Sequence, residues 1–128
     1  MRLLLDTHTL LWAMLNKPQL SRRAASAIVS PSNEVFVSVV SIWEIATKVR
    51  IGKLDKPEDL LDDPRHTLLR LGFRDLQVKL SHARLGGTLE SSHKDPFDRL
   101  LAAQALLETL TFVSIDTAFD SFAVQRLW

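Results

Sequence analysis

The residues best suited to chemistry in this sequence are four acids, each placed just after a predicted strand or at the start of a predicted helix: Asp6, Glu44, Asp98 and Asp116. Carboxylates brought together without a cation repel one another, which raises their pKa values. Hard carboxylate oxygens suit Mg²⁺ or Mn²⁺, whereas the four histidines have none of the spacings typical of zinc sites. The pattern predicts a site for one or two such ions, which activate a water molecule against a phosphodiester.

Each acid also has a purely structural interpretation. Asp6 can cap the first helix and Asp116 the final helical turn. Glu44 can complete a capping box with Ser41, or pair with Lys48 four residues later for about 0.3–0.5 kcal/mol. Taken one at a time these interpretations compete well with metal binding, so both stay open at this point.

The segment HKDPFDRLLAAQA, residues 93–105, holds two aspartates around a proline before an apolar helix. Pro96 suits the first helical position, where its missing N–H needs no partner. Asp95 then caps the helix, and Asp98 lies one turn in, where the helix dipole favours a negative charge. Asp95 is predicted to be the cap and Asp98 the residue available to a ligand.

Short apolar runs alternate with helical patterns along the whole chain. The predicted strands cover residues 3–5, 35–40, 76–80 and 111–115, with a last edge strand in 123–128. The predicted helices cover 7 or 9 to 15, 21–30, 41–51, 57–71 with an interruption at Pro64, 81–85 ended by Gly86 and Gly87, 96–107, and one turn at 117–121. Alternation of this kind predicts an α/β sandwich, with helices on both faces of a mostly parallel sheet of four to five strands. In such a sheet the strand carboxyl ends share one edge, where ligands bind.

Composition narrows the class of protein. The 128 residues are predicted to form one domain, residues 1–128, and 46% hydrophobic with 24% charged residues is ordinary for a globular protein. A net charge of +1 requires any nucleic-acid surface to be local. Cysteine is absent, and the first residues resemble neither a signal peptide nor a membrane span, so a cytoplasmic location is expected.

Four motifs in order carry a resemblance to a known family: LLLDTHTLLW, the segment from Ser38 to Leu54, HKDPFDRLLAAQA, and a strand ending in Ile115-Asp116. They resemble PIN-domain ribonucleases, and more closely the VapC-type toxins of bacterial toxin–antitoxin pairs. The resemblance implies a three-layer α/β/α fold, a homodimer, and cleavage of RNA that depends on Mg²⁺ or Mn²⁺. It also implies a small antitoxin whose tail fills the acidic groove while its other end binds operator DNA.

The family's site residues can be carried onto matching positions of this chain. The resemblance assigns catalysis and metal binding to Asp6, Glu44, Asp98 and Asp116, with Asp95 of the DPFDR segment as a further candidate ligand. Thr7 matches the polar residue beside the first acid, and Ser114 stands where the family often has threonine. Basic residues near the acids either form solvated helix surface or hold RNA phosphates: Lys48, Arg50, Lys53, His93, Lys94 and Arg99.

Two other functions compete with the nuclease. The start LLLDTHT is superficially similar to that of haloacid-dehalogenase phosphatases, in which the first aspartate is phosphorylated, although His8 replaces their second aspartate. A non-catalytic interaction module with the same fold is the other alternative. Trp12 and Trp43 lie close to acids in sequence, and each can pack in the core or, with an exposed face, stack on a base.

Overall fold

A five-stranded sheet organises the protein, which a computed structural model describes from Met1 to Trp128. The strands are β1 (Arg2–Leu5), β2 (Glu34–Ser38), β3 (Arg74–Leu76), β4 (Thr111–Val113) and β5 (Arg126–Leu127). Their order is β3-β2-β1-β4-β5, and all four neighbouring pairs are parallel. The predicted α/β architecture is confirmed, and β1 lies at its centre, so the acid that follows β1 lies at the centre of the edge as well.

Helices cover both faces of this sheet. They are α1 (Thr7–Met14), α2 (Arg22–Val29), α3 (Val39–Arg50), α4 (Pro64–Leu71), α5 (Leu80–Thr88), α6 (Pro96–Leu107) and a 3₁₀ helix (Thr117–Phe122). Leu3 and Leu5 of β1 pack into a cluster with α1 and α2, whereas Leu4 packs on the opposite face with α6 and the 3₁₀ helix. Burial on both faces explains why β1 is continuously apolar. No helix combines the length and apolar character needed to cross a membrane.

The second strand ends earlier than predicted. β2 stops at Ser38, and α3 begins at Val39 because the Ser38 Oγ accepts a hydrogen bond from the Val40 N–H at 3.0 Å. Ser41 therefore lies inside α3 and caps nothing. The capping-box interpretation of Ser41 and Glu44 is wrong, which leaves Glu44 free of that structural duty.

The middle of the chain also departs from the predicted boundaries. α4 begins at Pro64, where the ring occupies the first helical position and the Asp63 carboxylate accepts from the His66 N–H at 3.2 Å. The proline thus starts a helix rather than interrupting one that begins at residue 57. β3 is Arg74–Leu76, which ends where the predicted strand began.

The helix α5 runs through Gly86 and Gly87, although the pair was predicted to end it. Tertiary packing explains the difference, because α6 crosses α5 closely at Gly86. A Cβ atom on Gly86 would lie 3.3 Å from Leu100 Cδ2 and 3.4 Å from the Arg99 carbonyl oxygen, whereas one on Gly87 would meet no atom within 4 Å.

The two glycines give a matched pair of substitutions. Gly87→Ala is expected to raise the free energy of unfolding by about 0.5–1 kcal/mol, because alanine loses less backbone entropy in a helix. In Gly86→Ala, crowding of the added methyl group against α6 should cancel that gain. Its free energy of unfolding should lie below that of Gly87→Ala by about 1 kcal/mol or more. Urea denaturation of both variants measures the difference, and equal stabilities would contradict the close packing at Gly86.

Candidate functional site

Asp6 lies directly after the central strand and begins the site. Its backbone N–H donates to the Val113 carbonyl of β4 at 3.1 Å, which holds the residue at the sheet edge. The carboxylate caps α1, where Oδ1 accepts from the Thr7 N–H at 2.8 Å and Oδ2 accepts from the Ser114 Oγ at 2.7 Å. The residue is only 7% exposed. Capping and a buried carboxylate at the edge therefore coexist in one residue.

Glu44 reaches the same place from α3. Its Oε1 accepts from the Thr7 Oγ1 at 2.7 Å, and the Ser41 Oγ lies 3.1 Å from that hydroxyl. Its Oε2 pairs with the Lys48 Nζ at 2.6 Å. Thr7 thus joins the first two acids, because its N–H donates to Asp6 and its hydroxyl to Glu44. Ser41 was missed as a site neighbour, although its i,i+3 spacing from Glu44 on an otherwise apolar face was a usable signal.

Asp98 approaches from α6. The Asp95 carboxylate caps this helix by accepting from the Asp98 N–H at 3.1 Å, so the predicted division of roles between cap and inner acid has a structural basis. Asp98 Oδ2 lies 2.7 Å from the His93 Nε2, and the Asp98 side chain is 17% exposed. Its Oδ1 accepts no hydrogen bond from the protein, which leaves that oxygen available.

Electrostatics confirm that these acids act on one another. Burial raises the pKa of Asp6, hydrogen bonds from Ser114 and Thr7 oppose that rise, and the charge of Glu44 adds to it. Burial also raises the pKa of Asp98 to about 6; the hydrogen bond to His93 lowers it, while the charges of Asp95, Asp6 and Glu44 raise it. We call Asp6, Glu44 and Asp98 the acidic cluster.

The raised pKa of Asp98 predicts that stability depends on pH. The folded protein holds this proton more tightly than an unfolded chain, whose carboxyl has a pKa near 3.8. The stabilisation is therefore complete below 3.8 and is lost as the pH rises through about 6. In metal-free buffer, Asp98→Asn should raise the free energy of unfolding at about pH 7.5 by about 1–2 kcal/mol, because solvent screening at this partly exposed carboxyl reduces the full effect of the shift, and should change it little near pH 4. Urea denaturation at both pH values tests this, and a loss of stability at the higher pH would contradict it.

Asp116 and Ser114 complete the edge. Asp116 follows β4 and caps the 3₁₀ helix, where its exposed carboxylate accepts from the Ala118 N–H at 2.9 Å. Its backbone N–H donates to the Ser114 Oγ at 3.0 Å, and that hydroxyl in turn donates to Asp6. The Asp116 charge is not among those that shift the pKa values of Asp6 or Asp98. The structure therefore brings Asp116 next to the cluster through Ser114 but not into it.

The acidic cluster has the donor chemistry of a hard-cation site. The buried carboxylate of Asp6 and the half-buried one of Asp98, both with raised pKa values, would be stabilised by a positive ion, for which Asp98 Oδ1 is available. No three acidic or histidine side chains converge as a ready-made metal cage. Mg²⁺ commonly binds through one or two carboxylates and keeps several waters, so the cluster fits such an ion without a closed cage.

The basic residues near the acids divide into two groups. The Lys48 ammonium pairs with Glu44, and Arg99 donates hydrogen bonds to backbone carbonyls of its own neighbourhood, so neither is a free phosphate ligand. His93 is engaged by Asp98. Arg50, Lys53 and Lys94 are exposed, and these three remain the available cations among the predicted RNA-binding residues.

The two tryptophans differ in environment. Trp12 is partly buried and packs against Trp128, with ring centroids 5.9 Å apart. Trp43 is 55% exposed and makes an edge contact with Phe97 at 4.6 Å. Core packing, the preferred interpretation for both, therefore does not describe Trp43.

Comparisons with known proteins agree with this geometry. The family model described as PIN domain matches residues 3–125. In direct comparison with curated protein sequences, the chain has no match.

Several solved structures share the fold at low sequence identity. VapBC2 from Rickettsia felis, bound to a DNA fragment from its promoter, is similar at 16% identity and a TM-score of 0.72, covering 99% of this chain and 98% of that one. FitAcB from Neisseria gonorrhoeae is similar at 21% identity and a TM-score of 0.67, with coverage of 98% and 96%. VapBC-1 from nontypeable Haemophilus influenzae is similar at 17% identity and a TM-score of 0.67, covering 99% of this chain and 97% of that one. PIN domains are generally nucleases. Because the family model matches residues 3–125, nearly the whole sequence, the chain belongs to the PIN domain family.

Proposed function

We propose that the protein is a metal-dependent endoribonuclease and the toxin of a toxin–antitoxin pair. One observation carries the proposal: acids from β1, α3 and α6, far apart in sequence, form one electrostatically coupled cluster at the carboxyl edge of the sheet. Burying like charges together costs stability, and a bound cation would recover that cost. Asp6, Glu44 and Asp98 would hold Mg²⁺ or Mn²⁺, with Asp116 and Asp95 as outer candidates.

The ion, when bound, supplies an activated water and charge neutralisation at the phosphodiester. The chain's own residues do the rest. Ser114 and Thr7 orient Asp6 and Glu44 through the hydroxyl contacts described above. Arg50, Lys53 and Lys94 are exposed and would hold backbone phosphates of the RNA. Neither a separate nucleophile nor an organic cofactor is required.

The partners proposed are RNA as substrate, a small antitoxin protein and a second copy of the chain. The similar structures from Rickettsia, Neisseria and Haemophilus are complexes of the VapBC and FitAB kind, which supports the antitoxin. Contact with DNA would then be indirect, through the antitoxin, as the promoter fragment bound to VapBC2 suggests. We infer a cytoplasmic location because such a system acts on cellular RNA.

The direct test is cleavage of structured RNA by the purified protein with Mn²⁺, followed by mapping of the new 5′ ends. We expect a small number of internal cuts, with a matched single-stranded DNA left intact. The proposed nuclease activity would be contradicted if folded protein, freed of any antitoxin, left the RNA uncut with both Mg²⁺ and Mn²⁺. Size-exclusion chromatography with light scattering tests the dimer, and co-expression with candidate short reading frames next to the gene tests the antitoxin.

The phosphotransfer alternative has less support than the nuclease. The phosphatases that LLLDTHT resembles carry a second aspartate two residues after the first, and His8 stands at that position here. Incubation with beryllofluoride should therefore leave Asp6 unmodified. A stable beryllofluoride adduct on Asp6 would revive that reaction.

A further inference from the structure

Arg99 stands out because its guanidinium donates to four backbone carbonyls, three of which belong to one loop. The loop, residues 89–95, joins α5 to α6 and carries His93. Arg99 Nε donates to the Gly86 carbonyl at 2.8 Å at the end of α5. Its Nη1 donates to the carbonyls of Ser91 at 3.3 Å and His93 at 2.8 Å, and its Nη2 donates to that of Leu89.

Contacts of Ser91 and His93 also fix the conformation of the 89–95 loop. The Ser91 Oγ accepts from the His93 N–H at 3.1 Å and lies 2.8 Å from the Ser121 Oγ of the 3₁₀ helix. The His93 ring packs edge-on against Phe122, with centroids 5.5 Å apart. Arg99 therefore holds the backbone of His93, the 3₁₀ helix contacts its ring, and its Nε2 lies against Asp98.

Arg99 and Asp98 are consecutive residues of the same helical turn. That turn thus carries an acid of the cluster and also the cation that fixes the loop whose imidazole contacts that acid. His93 occupies Oδ2 and leaves Oδ1 without a protein partner. Carboxylate ligands of metals are commonly held in place by such a second hydrogen bond, and its loss typically costs about 10–100-fold in metal affinity or activity.

We propose that Arg99 is a positioning residue for the nuclease site, which acts by holding the 89–95 loop so that His93 orients Asp98. The inference rests on the proposed function only where it concerns the metal. It replaces the prediction that Arg99 and His93 bind RNA, because four backbone carbonyls and one carboxylate already occupy these side chains.

A double-mutant cycle on the full chain tests the coupling. Arg99→Ala and His93→Ala should each weaken Mn²⁺ binding, measured by calorimetry without RNA, by about 10-fold. Because Arg99 acts through His93, the double variant should be no weaker than either single one. Effects that multiply would overturn the proposal, and so would an Arg99→Ala variant that changes only the KM for RNA.

A second measurement needs neither metal nor RNA. The ¹⁵N resonance of His93 Nε2 in the metal-free protein reports the bond to Asp98, and it should move in Arg99→Ala as it moves in Asp98→Ala. An unchanged resonance in Arg99→Ala would overturn the proposal even if the protein proves not to be a nuclease. Conversely, coupling in this spectrum without Mn²⁺ binding would contradict the proposed function alone.

Matched variants separate positioning from charge and from folding. Arg99→Lys keeps the positive charge but cannot form the forked contacts, so it should resemble Arg99→Ala in the cycle and in the spectrum. Arg84→Ala removes an exposed cation from the neighbouring helix α5 and should leave the His93 resonance and Mn²⁺ affinity unchanged. If Arg99→Ala fails to fold, Arg99→Lys carries the test, and a wild-type His93 resonance in that variant contradicts the proposal.

Discussion

Replacing Asp6 with asparagine is expected to abolish RNA cleavage while the protein stays folded. The amide oxygen can still accept from the Thr7 N–H, and the Ser114 hydroxyl can turn to accept from the new NH₂ group, so the cap of α1 survives. What disappears is the central charge of the acidic cluster. Removing such electrostatic stabilisation of a transition state commonly costs about 100–1,000-fold, and we expect at least about 100-fold in kcat at saturating Mn²⁺.

Asp95→Asn is the matched control for this substitution. It changes an exposed acid in the same segment as Asp98, and asparagine is about as good a helix cap as aspartate. Its cleavage rate should stay within a few-fold of the unmodified protein, whereas Asp98→Asn should behave like Asp6→Asn. A folded Asp6→Asn variant at full activity would favour the non-catalytic interaction module. A larger loss in Asp95→Asn than in Asp98→Asn would show that cap and ligand are interchanged.

Removal of divalent metal is expected to have an equally large effect. Chelation should stop cleavage completely, and either Mg²⁺ or Mn²⁺ should restore it, because the proposed reaction depends on a water that the bound ion would activate. The same ions should raise the midpoint of thermal unfolding, since a ligand that binds only the folded state adds about 2.7 kcal/mol at 100 times its dissociation constant.

The thermal shift and the cleavage rate must respond together. Asp6→Asn should lose both the Mn²⁺-dependent shift and the activity. Gly87→Ala should keep both, because the added Cβ would meet no atom within 4 Å. Cleavage that persists after exhaustive chelation would contradict the proposed chemistry. A full Mn²⁺ shift in Asp6→Asn would place the ion elsewhere than in the acidic cluster.

The ion pair between Lys48 and Glu44 is local in sequence, but the tertiary structure places it at the acidic cluster. The i,i+4 pairing with Glu44 was foreseen as a weak surface interaction. Glu44 is 5% exposed, however, and lies beside Asp6 and Asp98, so the Lys48 ammonium is the nearest positive charge to the cluster that the structure shows. A metal ion that binds Glu44 must therefore compete with Lys48 for the carboxylate.

The sequence by itself determined the α/β architecture and the identity of the acids at the sheet edge. It also predicted α6 with its observed bounds, Pro96–Leu107, because a proline at the first helical position and an aspartate cap are signals confined to a few neighbouring residues. The central strand was recognised in the same way, since burial on both faces leaves a continuous apolar run. Each of these inferences depends on residues that are close together in the chain.

Only the tertiary structure decided where α5 ends, which residue caps α3, and what Arg99 and Trp43 do. α5 passes through Gly86 because α6 packs against that position, and nothing near the glycine in sequence indicates the contact. Arginine is a residue type that often binds phosphate, yet in the folded chain the guanidinium of Arg99 donates to carbonyls of α5 and of the 89–95 loop. The end of α5 and the partners of Arg99 depend on which distant segments come into contact. A hydrogen-bond donor or a helix face interacts with the groups that the fold places next to it, and these groups are not its neighbours in sequence.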